Sequence, residues 1–368
     1  MSKTRLAVLF GGVTVEHEVS VITGQQLIRQ VDLNKYDVVP IYIDKAGHWW
    51  SDDSVTSVEY FKTADLFKPS GLTRFELSLN RGSNHIDVAI LCFHGAYGEA
   101  GNIQGALELA GIPYQGPGVI GSAICFDKVV LRQILAAEGV SQPAYTWFTQ
   151  QQWHQDRSSV LQKVEALNWP VFIKPANGGS TIGIEKAATA SDFERAVETV
   201  LGFDDRVIVE AEIKDCIEIN VSVLGSHTQA QASVPEQPIK SDEFLSYADK
   251  YERGGKKSGM ASATRRIPAP ISSSLTQKLQ QLAVHLFHLL DCTGVVRIDF
   301  MVDPSEETIF VIEPNTIPGS MSYYLWEATD LPYTQMIDRL VEIALETQQQ
   351  QQALTTSFSS NILQQRQD

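Results

Sequence analysis

Residues 294–316 read Gly-Val-Val-Arg-Ile-Asp-Phe-Met-Val-Asp-Pro-Ser-Glu-Glu-Thr-Ile-Phe-Val-Ile-Glu-Pro-Asn-Thr. Alternate residues of a strand share a face. Val296, Ile298 and Phe300 therefore point into a core, and Arg297 and Asp299 point the other way. Pro304-Ser-Glu-Glu307 reads as a turn. Residues 308–316 then return as an antiparallel strand on which Glu313 and Asn315 share a face. Two carboxylates, a carboxamide and an arginine thus converge on one patch. Hard oxygen ligands of this kind suit Mg²⁺, which takes one or two carboxylates and completes its shell with nucleotide phosphates. The spacing alone fits a solvated strand face with a surface Arg297–Asp299 pair equally well. The following Ile317-Pro-Gly319 favours the first reading. Pro314 cannot donate to a ladder, and Gly319 exposes backbone N–H groups as an anion-binding turn does.

Upstream, Ile173-Lys-Pro-Ala-Asn-Gly-Gly-Ser-Thr-Ile-Gly183 is a strand end followed by a loop of small residues. Lys174, the loop N–H groups and the Ser180 hydroxyl form a cradle suited to phosphates. It is not a Walker A loop, because no Lys-Ser/Thr follows the glycines and a strand is expected next. Lys128 opens a helix that Asp127 caps and Gly139 stops. Lys250 and Tyr251 lie in the long segment 241–266, rich in Gly, Lys and Ser, which reads as a functional lid or as disorder. Taken singly, Lys128 and Lys250 are more often solvated surface groups.

Gly11-Gly-Val-Thr-Val-Glu-His-Glu18 follows the first strand without the GxGxxG spacing of a dinucleotide loop. Glu16 there suits a cationic amine. His94 ends a later strand, where a structural and a ligand-binding histidine are equally expected. The other histidines form no HExxH spacing, and there is no GxSxG nucleophile elbow.

The wider chain supplies the scaffold. Arg5–Phe10, Asp37–Ile43 and Ile86–Phe93 read as strands, with a helix at 18–31, which predicts a parallel α/β domain. Ligands of such sheets bind outside the carboxyl ends of the strands, so segments 11–18 and 94–105 should lie together. Strands at 170–174, 183–186 and 206–210 with a helix at 190–200 predict a small α+β domain. In 217–223 the alternation leaves Glu218 on the polar face of a half-buried strand. Helices are expected at 273–290 and 332–347. The expected divisions are 1–122, 123–212, 213–348 and a disordered, glutamine-rich tail at 349–368.

With 44 acidic against 29 basic residues, the net charge is −15. That disfavours nucleic-acid binding, which rests on phosphate neutralisation. The four cysteines, Cys92, Cys125, Cys216 and Cys292, show no metal spacing and read as buried core residues. No apolar run approaches a membrane span and no leader sequence opens the chain, so a cytoplasmic location is expected.

Taken in order, these motifs resemble the D-alanine–D-alanine ligase family of ATP-grasp enzymes. The resemblance runs from about Leu6 to Ala344. It is carried by Gly11–Ser20, His94–Gly105, Pro113–Gly116, Asp127-Lys128, Lys174-Pro175, Gly179-Ser180, Lys250-Tyr251, Arg297-Ile-Asp299 and Glu313–Gly319. It implies an ATP-grasp fold preceded by a Rossmann-like domain, a homodimer, and ATP with Mg²⁺ or Mn²⁺. The implied reaction makes D-alanyl-D-alanine for peptidoglycan; D-serine, D-lactate or another second substrate is the alternative.

The resemblance also implies roles. Glu16 would bind the ammonium of the first D-alanine, with Ser180 and Tyr251 positioning Glu16 and closing the loop. His94 would lie near that substrate. Lys128, Lys174 and Lys250 would contact phosphates, Glu210 and Ile213 adenine, and Glu218 ribose. Arg297 and the Gly319 N–H would stabilise the oxyanion, Asp299, Glu313 and Asn315 would hold the metal, and Ser320 and Met321 would meet the second substrate.

Overall fold

The computed structural model describes residues 3–80, 85–179, 183–239 and 265–360. Ser180, Lys250, Tyr251 and nearly all of the expected lid lie outside them.

The first sheet contains β1 (Thr4–Gly11), β2 (Tyr36–Ile43), β3 (Trp49–Trp50) and β4 (Val88–Leu91), in the order β3-β2-β1-β4. β1 runs parallel to both β2 and β4, as expected, and β3 is an antiparallel edge. Leu6–Phe10 is buried throughout because both faces of this sheet are covered. The carboxyl ends of β1 and β4 are tied by Ser20, whose Oγ accepts from the Gly11 N–H and donates to the Cys92 carbonyl, each at 2.8 Å. That brings segments 11–18 and 94–99 together.

The second sheet is antiparallel: β5 (Tyr145–Thr149), β6 (Val171–Pro175), β7 (Glu185–Ala187) and β8 (Arg206–Ala211), in the order β5-β8-β6-β7. The helix Ala190–Val200 buries Phe193, Ala196, Val197 and Val200, a helical stripe, in the core with Phe148 and Trp153. The third sheet joins β9 (Ile217–Gly225), β10 (Ala230–Ala232), β13 (Gly294–Asp303) and β14 (Thr308–Asn315), in the order β10-β9-β13-β14. Between them in sequence, β11 (Gln237–Pro238) pairs with β12 (Arg265–Arg266). The helix Ser273–Leu289 supplies Leu275, Leu279, Ala283 and Leu286 to the third core.

The chain-order divisions do not coincide with these cores. Cys125, Leu131 and Leu135 join the core of the third sheet, although they precede the second. The last helix, Tyr333–Gln352, buries Met336, Ile337, Leu340 and Val341 in the first core. An apolar stripe must be buried, but its spacing does not say against what. That helix also runs past the expected tail boundary at 349. Gln348 donates to the Gly111 carbonyl at 3.0 Å, and glutamine is a fair helix former. Cys92, Cys125 and Cys292 are buried as expected, whereas Cys216 is only partly so.

Candidate active site

Across the β13–β14 ladder Asp299 pairs with Glu313 and Arg297 with Asn315. Arg297 grips Asp299 with two parallel bonds, Nε to Oδ1 at 2.6 Å and Nη2 to Oδ2 at 2.7 Å, and Asn315 Nδ2 donates to Oδ2 at 3.0 Å. Burial pushes the Asp299 carboxyl up to about 6, against the pull of Arg297. Glu313 is also subject to desolvation, yet Lys128 and then Lys174 hold its carboxyl below the ordinary range. Lys128 Nζ lies 3.4 Å from Glu313 Oε2 and also donates to the Gly178 carbonyl. Its helix, Lys128–Ala137, is capped by Asp127, which accepts from the Val129 and Val130 N–H groups at 3.0 Å.

Lys174, at the end of β6, donates to Glu210 Oε2 at 2.6 Å. Arg132 Nε donates to the other carboxylate oxygen at 2.7 Å. Burial alone would raise Glu210, but these two cations hold it down to about 2. Between the second and third sheets opens a cleft of about 340 Å³. Lys128, Lys174, Glu210, Ile213, Glu218, Asp299 and Glu313 line it, with Phe172, Ile184, Met301 and Ile312 as apolar wall. Seven of the expected site residues thus share one cavity, with greasy walls for a flat ring and charged groups for phosphates.

A second group meets at the carboxyl ends of β1 and β4. Glu16 is buried, and its Oε2 lies so close to Gly179 and Gly95 that a Cβ on either would sit within 2.9 and 3.1 Å of it. The glycine loop expected to cradle phosphates therefore also packs on Glu16. His94 shares a 2.9 Å hydrogen bond with Thr23 Oγ1. Burial, and next the Arg297 charge, pushes its imidazole down to about 4. Glu99, which the motif reading passed over, is buried beside them. Burial and then Glu16 push its carboxyl up to about 8, although the Gly95 N–H donates to it at 2.7 Å. Its only signal in the sequence is its place in the segment 94–105.

The turn Gly319–Ser322 holds Ser320 and Met321 at φ 51° and 56°. Ser320 is buried against this turn, and the Met321 side chain is wholly enclosed in the first core. Met321 therefore does not present its side chain to a second substrate. Beyond it, Tyr324 donates to Glu236 Oε1 at 2.9 Å, and Arg265 lies 4.0 Å over the Tyr324 ring. Neither residue belongs to a recognisable motif.

Two family models match this chain: "D-ala D-ala ligase N-terminus" over residues 5–117 and "D-ala D-ala ligase C-terminus" over residues 134–342.

The chain belongs to the D-alanine–D-alanine ligase family.

Curated relatives agree along almost the whole length. A D-alanine–D-alanine ligase of Clostridium novyi is 37% identical, covering 94% of this chain and 98% of its own. One of Natranaerobius thermophilus is 34% identical, covering 98% and 100%. Among solved structures, the VanG D-Ala:D-Ser ligase of Enterococcus faecalis superposes with a TM-score of 0.79 at 28% identity, over 93% of this chain and 100% of its own. The D-alanine–D-alanine ligase of Coxiella burnetii gives 0.78 at 28%, over 96% and 97%. No described helix is long and apolar enough to cross a membrane.

D-alanine–D-alanine ligases use ATP and typically Mg²⁺. The residues here fit such an ion. Asp299 is a buried carboxylate paired with Arg297, and Glu313 keeps 31% of its side chain exposed. No group of three His, Cys, Asp or Glu able to hold a metal occurs among the described residues. Two carboxylates and a carboxamide leave the rest of a magnesium shell to phosphate and water oxygens. Asn315 would have to offer its Oδ1 in place of the amide that now faces Asp299.

Proposed function

We propose that this protein joins two D-alanines into D-alanyl-D-alanine, a peptidoglycan precursor, with ATP converted to ADP and phosphate. The observation that carries the reading is the junction between the 340 Å³ cleft and the buried Glu16–His94–Glu99 group, made by Gly179, which lines the cleft and packs on Glu16. On this reading the phosphate site and the amino-acid site are neighbours across the Gly178-Gly179 turn.

The first D-alanine would place its ammonium on Glu16, near His94. Its carboxylate attacks the γ-phosphorus and ADP leaves, giving an acyl phosphate. The amine of the second D-alanine attacks the acyl carbon, and inorganic phosphate departs with the proton lost from nitrogen. Lys128 and Lys174 would hold phosphates, Ile213 and Glu210 the adenine end, and Glu218 the ribose. Bound Mg²⁺ would neutralise phosphate charge at Asp299, Glu313 and Asn315. Arg297 and the Gly319 N–H would stabilise the oxyanion, and Ser320 would meet the second carboxylate. Lys250 as a further phosphate lysine, and Ser180 with Tyr251 around Glu16, complete the reading from sequence motifs. A cytoplasmic homodimer completes it at the level of assembly.

The likeness to a D-Ala:D-Ser ligase supports a second reading, in which D-serine is the acceptor. Purified enzyme given ATP, Mg²⁺, D-alanine and a mixture of D-serine and D-lactate separates the two by product mass. D-Alanyl-D-alanine as the main product supports the first; a mixed product, or ADP release that ignores D-alanine, overturns it. Sedimentation tests the dimer.

A further inference from the structure

We propose that Arg132 is a positioning residue that sets the spacing of the two walls of the nucleotide cleft, a role that rests on the cleft being an ATP site. Its side chain is 2% exposed and spends three donors on two different sheets. Nε bonds Glu210 on β8 at 2.7 Å. Nη1 and Nη2 bond the carbonyls of Val311 and Ile312 on β14 at 3.0 and 2.8 Å. Ile312 is the residue left over where the β13–β14 register shifts, and Glu313 follows it directly. A bulge leaves ladder groups in need of partners, and the guanidinium supplies one.

Lys128 and Arg132 lie four apart on one helix, so they share a face. Lys128 holds Glu313, while Arg132 holds Glu210, whose other oxygen holds Lys174. A planar guanidinium fixes its partners more rigidly than an ammonium does. Stability alone is a poor reason for this arrangement, because a buried ion pair is often no better than an apolar replacement. Without Arg132, Glu210 is left with Lys174 as its cation. Lys174 is then drawn toward Glu210 and away from phosphate, and Glu313 loses the brace behind its strand.

The test compares wild type with Arg132→Met and Arg132→Lys. ADP binding is measured by calorimetry, KM for ATP and for D-alanine by ADP release, and folding by thermal melting. Arg132→Met should weaken ADP and raise the ATP KM at least about tenfold, the order expected when a buried charge loses its partner, with the D-alanine KM held within about twofold. Arg132→Lys keeps the charge and should recover part of the loss. If Arg132→Met does not fold, Arg132→Lys decides alone by the same split. Unchanged ADP affinity in a folded variant, or ATP and D-alanine KM values rising together, overturns the proposal. Failure of wild type itself to bind ADP would instead overturn the ATP reading of the cleft, and Arg132's role with it.

Discussion

Asp299 faces Glu313 across the β13–β14 ladder, and the register slips by one residue immediately beyond the pair, so that Phe300 meets Val311 and Ile312 is left unpaired. The slip lies at the edge of the cleft that both carboxylates line. Both Asp299 oxygens accept from Arg297, and Oδ2 accepts from Asn315 too, which leaves a lone pair on Oδ1 for a cation.

Asp299→Asn and Glu313→Gln should each cut turnover on the order of a thousandfold, because phosphoryl transfer depends on charge neutralisation. Melting should show both folded. ADP release at millimolar Mg²⁺ is the measurement, and near-normal rates would remove these residues from the metal site.

Glu16→Gln should raise the KM of the first D-alanine roughly tenfold or more, the worth of a charge-assisted bond. ATP affinity should stay near wild type, since Glu16 belongs to the group at the ends of β1 and β4. Equal losses for both substrates would contradict the assigned role.

Stability should fall as pH rises from about 4.5 to about 8, through Glu99. Its folded carboxyl, pushed up to about 8 from 4.5, keeps a proton that the unfolded chain has already released. The native state therefore holds the extra proton in that window, and its contribution is lost as pH passes the folded value. Glu99→Gln cannot titrate, so its melting temperature should vary less between pH 5 and 9. Parallel pH curves for both proteins would contradict this.

Gly98→Ala should destabilise the fold by about 1–3 kcal/mol, the usual cost of forced overpacking. A Cβ there would lie 2.0 Å from the Phe93 Cβ. Thermal melting measures the loss. The same strain should raise the D-alanine KM, because the turn carries His94 on one side and Glu99 on the other.

The Asp299–Glu313 patch was legible because its signal is local. A strand repeats every two residues, so side-chain faces follow from spacing once a turn is recognised. The ordered lysines and the Gly11–Glu18 segment were legible as motifs. The Met321 side chain turned to the first core, and an apolar residue after a glycine turn looks the same in sequence whether it faces a ligand or a core. Glu99 and Arg132 were passed over because their chemistry comes from partners distant in sequence. Arg132 meets Glu210 78 residues away and Val311 179 away.

By itself, then, the sequence determined the alternating faces of β13 and β14, the parallel α/β character of the first domain and the motifs that mark a ligase. Those properties depend on neighbours along the chain. Only the tertiary structure decided that the last helix packs on the first sheet, that Arg132 bonds strands on both sides of one cleft, and that burial lifts Glu99 while paired cations depress Glu210. A carboxylate's charge state is set by its desolvation and by whichever cations folding brings beside it.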